Sequence, residues 1–87
     1  MTIYIDRPIW PGHGRVWSHL ISSESVTELQ EFADALGLPR RAFDRDHYDV
    51  PSERFEAVLE AGAVLASSRD LVRYLYAAGL RPRPGAP

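Results

Sequence analysis

The sequence predicts one small domain of the α/β (or α+β) class, with about four short strands and three helices in layered packing. Its 87 residues, 45% of them hydrophobic, are enough for a single core. Three segments repeat apolar residues at helical spacing, and each of them ends at a glycine. Between them lie short runs rich in β-branched and aromatic residues, a pattern typical of strands.

Two strands are predicted in the N-terminal part. The segment "TIYID", residues 2–6, alternates β-forming residues and stops before Arg-Pro. Residues 7–14, "RPIWPGHG", contain two prolines and two glycines and are predicted to form a loop. Residues 15–22, "RVWSHLIS", are predicted to be the second strand. Its side chains alternate between two faces: Val16, Ser18 and Leu20 on one, and Trp17, His19 and Ile21 on the other.

The first helix is predicted to begin after Ser25. Ser25 and Glu28 have the spacing of a capping box, in which the serine caps the helix and the glutamate folds back. Gly37 stands where a left-handed C-cap is needed, and Pro39 prevents continuation. The following connector, "PRRAFDRD", is polar and is predicted to contain a short helical turn.

The C-terminal half is predicted to run strand, helix, strand, helix, which favours a parallel crossover. The strand "HYDV" at residues 47–50 is followed by a helix that Ser52 caps and Gly62 ends. The strand "AVLA" at residues 63–66 precedes a helix that is capped within "SSRD" and ends at Gly79. Helical spacing predicts these inward-facing residues in the three helices: Val26, Leu29, Phe32, Leu36, Phe55, Val58, Leu59, Leu71 and Leu75.

Residues 1–80 are predicted to form a single globular domain, and residues 81–87, "RPRPGAP", a flexible tail without core-forming residues. A domain this small is marginally stable alone, so a homodimer is expected.

Composition excludes several classes of protein. There is no cysteine, hence no disulfide and no thiolate metal site. The formal net charge of −2 argues against a general nucleic-acid binder, although all ten cationic side chains are arginine. No apolar run approaches the roughly 20 residues of a membrane helix. The N-terminus lacks the pattern of a signal peptide, so a cytoplasmic location is expected.

Several segments together resemble domain-of-unknown-function family 4031 (DUF4031), small actinobacterial and phage-related proteins with no assigned activity. They are "YID", "GRVWSHLIS", "LGLP", "RAFDRDHYDVP" and "AGAV", and the resemblance covers the chain to about Leu80. It implies no reaction, but it implies positions of interest: Asp6, Gly14, Arg15, His19, His47, Tyr48, Asp49 and Arg69.

A histidine and aspartate site is the main functional prediction. His47 and Asp49 lie two apart on a strand and therefore on one face, where they can chelate a divalent metal or couple a base to a carboxylate. Asp6 lies at the C-terminal end of a strand, where open α/β sheets bind ligands. If these residues converge with His19, the four form a candidate catalytic cluster, with His19, His47 and Asp49 as ligands for zinc, manganese or iron. The alternative is a capping aspartate and structural histidines.

Arginines extend this prediction to a small anionic ligand. Arg15 and Arg69 are the candidate anion-binding residues, because Arg69 lies in the first turn of the last helix; Tyr48 joins them through the His-aromatic-Asp trio of the resemblance. The alternative for both arginines is a surface ion pair. Arg40, Arg41 and Arg45 also cluster, but Asp44 and Asp46 offset them, and a solvated loop is predicted there.

Two functions from different classes follow from the sequence. The first is a metal-dependent hydrolase-like site for a phosphorylated or nucleotide-like ligand. The second is a non-enzymatic, dimeric module that binds protein or nucleic acid and in which the histidines are structural. No phosphate-binding loop, dinucleotide fingerprint or nucleophile motif is present in the sequence.

Overall fold

One six-stranded sheet organises residues 2–85, the part of the chain that the computed structural model describes. Together with three α-helices it confirms the predicted mixed α and β domain. The strands are β1 (Ile3–Ile5), β2 (Trp10–Gly12), β3 (Arg15–Ser22), β4 (Phe43–Asp44), β5 (His47–Pro51) and β6 (Val64–Leu65). The helices are α1 (Val26–Ala35), α2 (Phe55–Glu60) and α3 (Ser68–Ala77), with 3₁₀ turns at Arg40–Ala42 and Ser52–Arg54.

The long strand β3 is the centre of the sheet, whose order is β4-β5-β3-β1-β6 with β2 beside β3. Neighbouring strands are antiparallel except β1 and β6, which are parallel. Strands β5 and β6 therefore run in the same direction, as the predicted crossover requires, but β3 and β1 lie between them. Strands β1 and β2 pair with opposite halves of the same edge of β3, and residues 6–9 form the break between them.

The sheet has two more strands than the sequence predicted, and both belong to tight hairpins. Strand β2 lies in the predicted loop and turns into β3 through His13 and Gly14, whose φ angles of 49° and 72° suit a two-residue hairpin turn. Its Pro11 is tolerated because an edge strand does not need every N–H. Strand β4 turns into β5 through Arg45 and Asp46, with φ of 61° at Arg45. The two prolines and two glycines of residues 7–14 are typical of a loop, so the sequence pattern did not indicate the first hairpin.

The start of α1 uses half of the predicted capping box. The Ser25 hydroxyl accepts a hydrogen bond from the Glu28 N–H at 3.0 Å, as predicted. The Glu28 carboxylate does not fold back to Ser25, and that part of the prediction was wrong. It accepts a hydrogen bond from the Ser22 hydroxyl at 2.5 Å, and Ser22 in turn accepts one from the Ser25 N–H at 3.2 Å. Buried Ser22 thereby links the end of β3 to the helix.

The two later helices differ in their caps. Ser67 caps α3 by accepting a hydrogen bond from the Asp70 N–H at 3.1 Å, in agreement with the predicted cap in "SSRD". The predicted cap at Ser52 was wrong, because Ser52 begins a 3₁₀ turn and α2 starts at Phe55 without a side-chain cap. Gly62 and Gly79 have positive φ angles, so these helix ends require glycine as predicted.

Helices cover the two faces of the sheet unequally. Helices α1 and α2 pack on one face around Ile5, Leu20 and Val50. Helix α3 packs on the other face around a smaller cluster of Ile21, Leu71 and Leu75. Four of the predicted inward residues are buried: Leu29, Val58, Leu71 and Leu75. Four others are partly buried against the first core: Phe32, Leu36, Phe55 and Leu59. Val26 is half-buried and belongs to neither cluster. The part of the second face that α3 leaves open carries the histidines.

The C-terminal segment remains in contact with the domain just beyond α3. Arg81, the first residue of the predicted tail, forms an ion pair with Asp46, while residues 82–85 are exposed. Residues 86 and 87 of the predicted tail lie outside the described residues. None of the described helices has the length and apolar character needed to cross a membrane.

Candidate functional site

Four of the predicted site residues lie on the face of the sheet that α3 partly covers. His19 of β3 and Asp49 of β5 are direct cross-strand partners. His47 precedes Asp49 by two residues and shares its face, and Asp6 extends β1 beside His19 through an N–H bond to the His19 carbonyl at 3.2 Å. The neighbouring strands β1, β3 and β5 thus bring together four residues that are distant in the sequence.

The Asp6 carboxylate fixes the position of His19. It is 1% exposed and accepts hydrogen bonds from the His19 N–H at 2.6 Å, the Ser68 hydroxyl at 2.6 Å and the Trp10 indole N–H at 3.1 Å. The His19 Nδ1 atom lies 2.8 Å from the same carboxylate. Because Asp6 follows the last residue of β1, where the sheet edge breaks, its carboxylate can receive donors from both β3 and α3.

This network shifts the protonation of both partners in the direction of an ion pair. Burial acts to raise the pKa of Asp6, but hydrogen bonds from the side chain and backbone of His19 and from Ser68 outweigh burial, and the pKa lies below its ordinary value. The hydrogen bond to Asp6 raises the pKa of His19 although burial opposes it. Asp6 is therefore a carboxylate, and the proton of the pair is on His19 Nδ1.

A second carboxylate holds His47 in the same way. The Asp46 carboxylate, 5% exposed, lies 2.9 Å from His47 Nδ1. Arg81 donates two hydrogen bonds to it, from Nε at 2.8 Å and from Nη2 at 2.9 Å. Burial acts to raise the pKa of Asp46, but Arg81 and then His47 outweigh burial and lower it. The prediction of a solvated loop here was wrong for Asp46, because the tight turn before β5 directs its side chain inward.

The two histidines turn toward a common point with Asp49. Their rings meet edge to face, with centroids 5.3 Å apart, and His47 Nε2 lies 3.2 Å from the Asp49 carboxylate. One ligand atom from each of His19, His47 and Asp49 lies within 4.8 Å of the others. Nδ1 of each ring faces a buried carboxylate, and Nε2 of His47 is directed to Asp49, the third member of the group. The arrangement is two imidazoles and one carboxylate, each imidazole supported from behind by an aspartate.

Two cavities meet at this group. The larger, about 690 Å³, lies between the β2–β3 hairpin, β5 and the two 3₁₀ turns. Its lining includes His19, Asp49, Trp10, Trp17 and Arg41. The smaller, about 190 Å³, lies between α3 and the sheet, and its lining includes apolar residues of α3 as well as Asp6, His19, His47, Ser68 and Arg81. A ligand in the larger cavity reaches His19 and Asp49 directly.

The remaining sequence-predicted residues have different positions. Asp6 supports His19 and does not belong to the group of candidate metal ligands. Arg15 lines the larger cavity and pairs with Glu53 at 3.2 Å. Arg69 is exposed and lines neither cavity. Tyr48 is fully buried on the opposite face of the sheet, so it is not part of this site.

Sequence reasoning missed four residues of the site. Asp46 and Arg81 support His47, and Trp10 and Ser68 complete the environment of Asp6. The acid directly before His47 was a visible signal for Asp46, and it was instead assigned to a solvated loop. Ser68 and Arg81 are 62 and 35 positions from their partners and carry no local signal.

Comparison with known proteins gives a family without a reaction. The family model described as "Protein of unknown function (DUF4031)" matches residues 3–78. No curated protein and no solved structure matches the chain. The matched region contains His19, His47 and Asp49 and ends before Arg81.

Proposed function

The chain belongs to the DUF4031 family, and we propose that it is a metal-dependent hydrolase-like domain. In this proposal His19, His47 and Asp49 bind one divalent cation beside the larger cavity. The substrate is a phosphorylated or nucleotide-like compound that enters from that cavity.

The observation that carries the proposal is that each histidine is backed by its own buried carboxylate. A metal-binding histidine usually donates its second ring N–H to a carboxylate or carbonyl, which fixes the tautomer and raises the basicity of the ligand nitrogen. Asp6 and Asp46 stand in this position at 2.8 Å and 2.9 Å from the Nδ1 atoms. One such pair is common in protein cores, but two pairs whose histidine ligand atoms lie within 4.8 Å of each other and of the half-buried Asp49 carboxylate favour a shared cation.

The ligand set suits a catalytic rather than a structural metal. Structural zinc sites are closed by four protein ligands, whereas catalytic sites keep three and leave a position open for water or substrate. Two imidazoles and one carboxylate are such a set and suit zinc, iron or manganese. His19 and Asp49 also line the larger cavity, so the open coordination positions would face a space that admits a ligand.

The bound cation would lower the pKa of a coordinated water and polarise a substrate oxygen. The chain's own residues supply the rest. Asp6 and Asp46 orient the imidazoles, and Arg41 in the cavity lining attracts an anionic group, whereas Arg15 in the same lining is paired with Glu53.

Metal binding tests the proposal directly. Protein purified without a His-tag should contain stoichiometric metal, and metal-free protein titrated with Zn²⁺, Mn²⁺ or Fe²⁺ should bind one equivalent. His19→Asn and His47→Asn should abolish tight binding, because asparagine can keep a donor toward Asp6 or Asp46 but lacks the Nε2 ligand. The matched control is His13→Asn, which removes the remaining histidine at a positive-φ turn position where asparagine is favoured.

The outcomes separate ligation from structure. Unchanged metal affinity in both His19→Asn and His47→Asn, with His13→Asn also unchanged, would show that the histidines are structural and would end the proposal. Metal-dependent hydrolysis of nitrophenyl phosphate esters that disappears in Asp49→Asn would support catalysis. Stoichiometric metal without hydrolysis of any phosphate ester would limit the site to metal binding.

A further inference from the structure

We infer that the larger cavity binds a nucleoside monophosphate, with its base against Trp10 and Trp17 and its phosphate between Arg41 and the His19–Asp49 end. The inference rests on the proposed function, because it names the substrate class of the same site. Cavities that bind small ligands commonly measure about 300–1,000 Å³. This one, at about 690 Å³, is large enough for a mononucleotide.

Two anchored tryptophans form an aromatic wall. Trp10 of β2 and Trp17 of β3 are direct cross-strand partners, so their side chains share a face, and both line the cavity. The Trp17 indole N–H donates to the Gly12 carbonyl at 2.8 Å, and that of Trp10 contacts Asp6 at 3.1 Å and Ser68 at 3.2 Å. With both N–H groups engaged, the rings are held in place. The Trp10 ring also packs against His19, with ring centroids 5.3 Å apart, so this wall directly adjoins the candidate metal site. Stacking on aromatic rings is how proteins hold bases without reading their sequence.

The spacing along β3 relates this wall to the candidate metal site. Trp17 and His19 are two residues apart on one face, which is roughly 7 Å in a strand. That separation is comparable to the distance between the base and the 5′-phosphate of a nucleotide. A base against the tryptophans therefore places the phosphate near His19 and Asp49.

The charge of the lining favours an anion. Three arginines line the cavity, Arg15, Arg41 and Arg54, although the chain as a whole has a formal net charge of −2. Arg15 pairs with Glu53, and Arg54 donates to the Leu36 carbonyl at 2.6 Å. Within residues 2–85, Arg41 makes no ion pair or side-chain hydrogen bond, so its guanidinium is the cation available for a phosphate.

Fluorescence tests the inference cleanly because both tryptophans of the chain line this cavity. Metal-free and Zn²⁺-loaded protein would be titrated with adenosine 5′-monophosphate, adenosine and inorganic phosphate. We expect saturable quenching by the monophosphate and at least tenfold weaker binding of adenosine and of phosphate alone. Arg41→Gln should weaken binding of the monophosphate about tenfold or more, as loss of a charge-assisted hydrogen bond does. The control is Arg73→Gln, an exposed arginine of α3 that lines neither cavity.

Each failure has its own signature. Absence of quenching by adenosine monophosphate in protein that binds Zn²⁺ overturns the inference and leaves the metal site in place. Equal losses in Arg41→Gln and Arg73→Gln also overturn it, because binding is then non-specific attraction. Quenching that depends on Arg41 in protein that takes up no metal supports the nucleotide cavity and removes the proposed metal-dependent function.

Discussion

Arg81→Gln is the most informative perturbation of the proposed site, because Arg81 touches no candidate ligand. Its guanidinium holds both oxygens of Asp46 at 2.8 Å and 2.9 Å, and Asp46 Oδ1 lies 2.9 Å from His47 Nδ1. Glutamine can replace at most one of the two donated hydrogen bonds and removes the positive charge. The change therefore acts on the metal site through the orientation and charge of Asp46 and through loss of the positive charge that acts to lower the pKa of His19.

The structure sets the size of the expected effect. Loss of a group that orients a metal-binding histidine commonly weakens metal affinity about 10- to 100-fold. Asp46 is 7% exposed at its side chain, so removal of its cationic partner should also cost about 1–3 kcal/mol of folding stability. The metal affinity and stability of Arg81→Lys should lie between those of the wild-type protein and of Arg81→Gln. Lysine keeps the positive charge but provides a single point donor in place of the planar guanidinium.

Calorimetric titration with Zn²⁺ and thermal melts of the metal-free protein measure the two effects separately. Arg83→Gln is the matched control, because Arg83 lies two residues further on and its contact is a cation–π approach to Tyr76 at 5.1 Å. If Arg81→Gln lowers the melting temperature but leaves the Zn²⁺ dissociation constant at the wild-type value, Arg81 only tethers the C-terminal segment. The proposed line from Arg81 through Asp46 to His47 would then be refuted.

Four further predictions concern the core, the pH dependence of stability and of metal affinity, and the tail. Leu29→Ala should cost about 2–5 kcal/mol in a denaturant melt, because Leu29 is 1% exposed, whereas Leu65→Ala at a 39% exposed position should cost far less. The metal-free protein should be most stable between pH 3.8 and 6.5, because folding lowers the pKa of Asp6 and raises that of His19. Stability should fall below this range as Asp6 is protonated. It should also fall above this range as His19 is deprotonated. Affinity for Zn²⁺ should instead rise with pH, since proton and cation compete for His19, and titrations at several pH values check this. Deleting residues 83–87 should leave the melting temperature nearly unchanged, and a fall of several degrees would show that the tail docks.

Local signals were sufficient for most of the fold. Helical spacing, serine caps and terminal glycines predicted α1 and α3, because each of these signals acts within a few residues. They failed at β2, where two prolines and two glycines predicted a loop. An edge strand that pairs along one side tolerates Pro11, and a two-residue hairpin turn requires the positive φ of Gly14, so the breakers were features of the hairpin itself.

The part of the site that lies on a single strand, β5, could be predicted from the sequence. Period-two alternation places His47 and Asp49 together, and the same argument should have placed Tyr48 in the core, where it lies fully buried. Tyr48 was a candidate ligand residue because of the His-aromatic-Asp trio of the family resemblance, but the alternation of side chains along β5 puts it on the opposite face from His47 and Asp49. The contacts of Asp46 with Arg81 and of Asp6 with Ser68 depend on where α3 returns to the sheet, and no local pattern encodes that position.

The candidate metal site joins the central strands of the sheet to the two ends of α3. His19 comes from β3, His47 and Asp49 come from β5, and their supports come from Asp6 after β1, from the first residue of α3 and from Arg81 beyond it. Within the described residues, the core beneath α3 contains three buried apolar residues, Ile21, Leu71 and Leu75, with partly buried Tyr4, Ala66, Tyr74 and Leu80 around them, and the polar network adds to this contact. A cation bound at 100 times its dissociation constant stabilises the folded state by about 2.7 kcal/mol, which is substantial beside the roughly 5–15 kcal/mol of a typical domain. Ligation of His19 and His47 would therefore also hold Asp6 and Asp46 in place, and through them the two ends of α3, so that metal binding and the packing of this helix form one equilibrium.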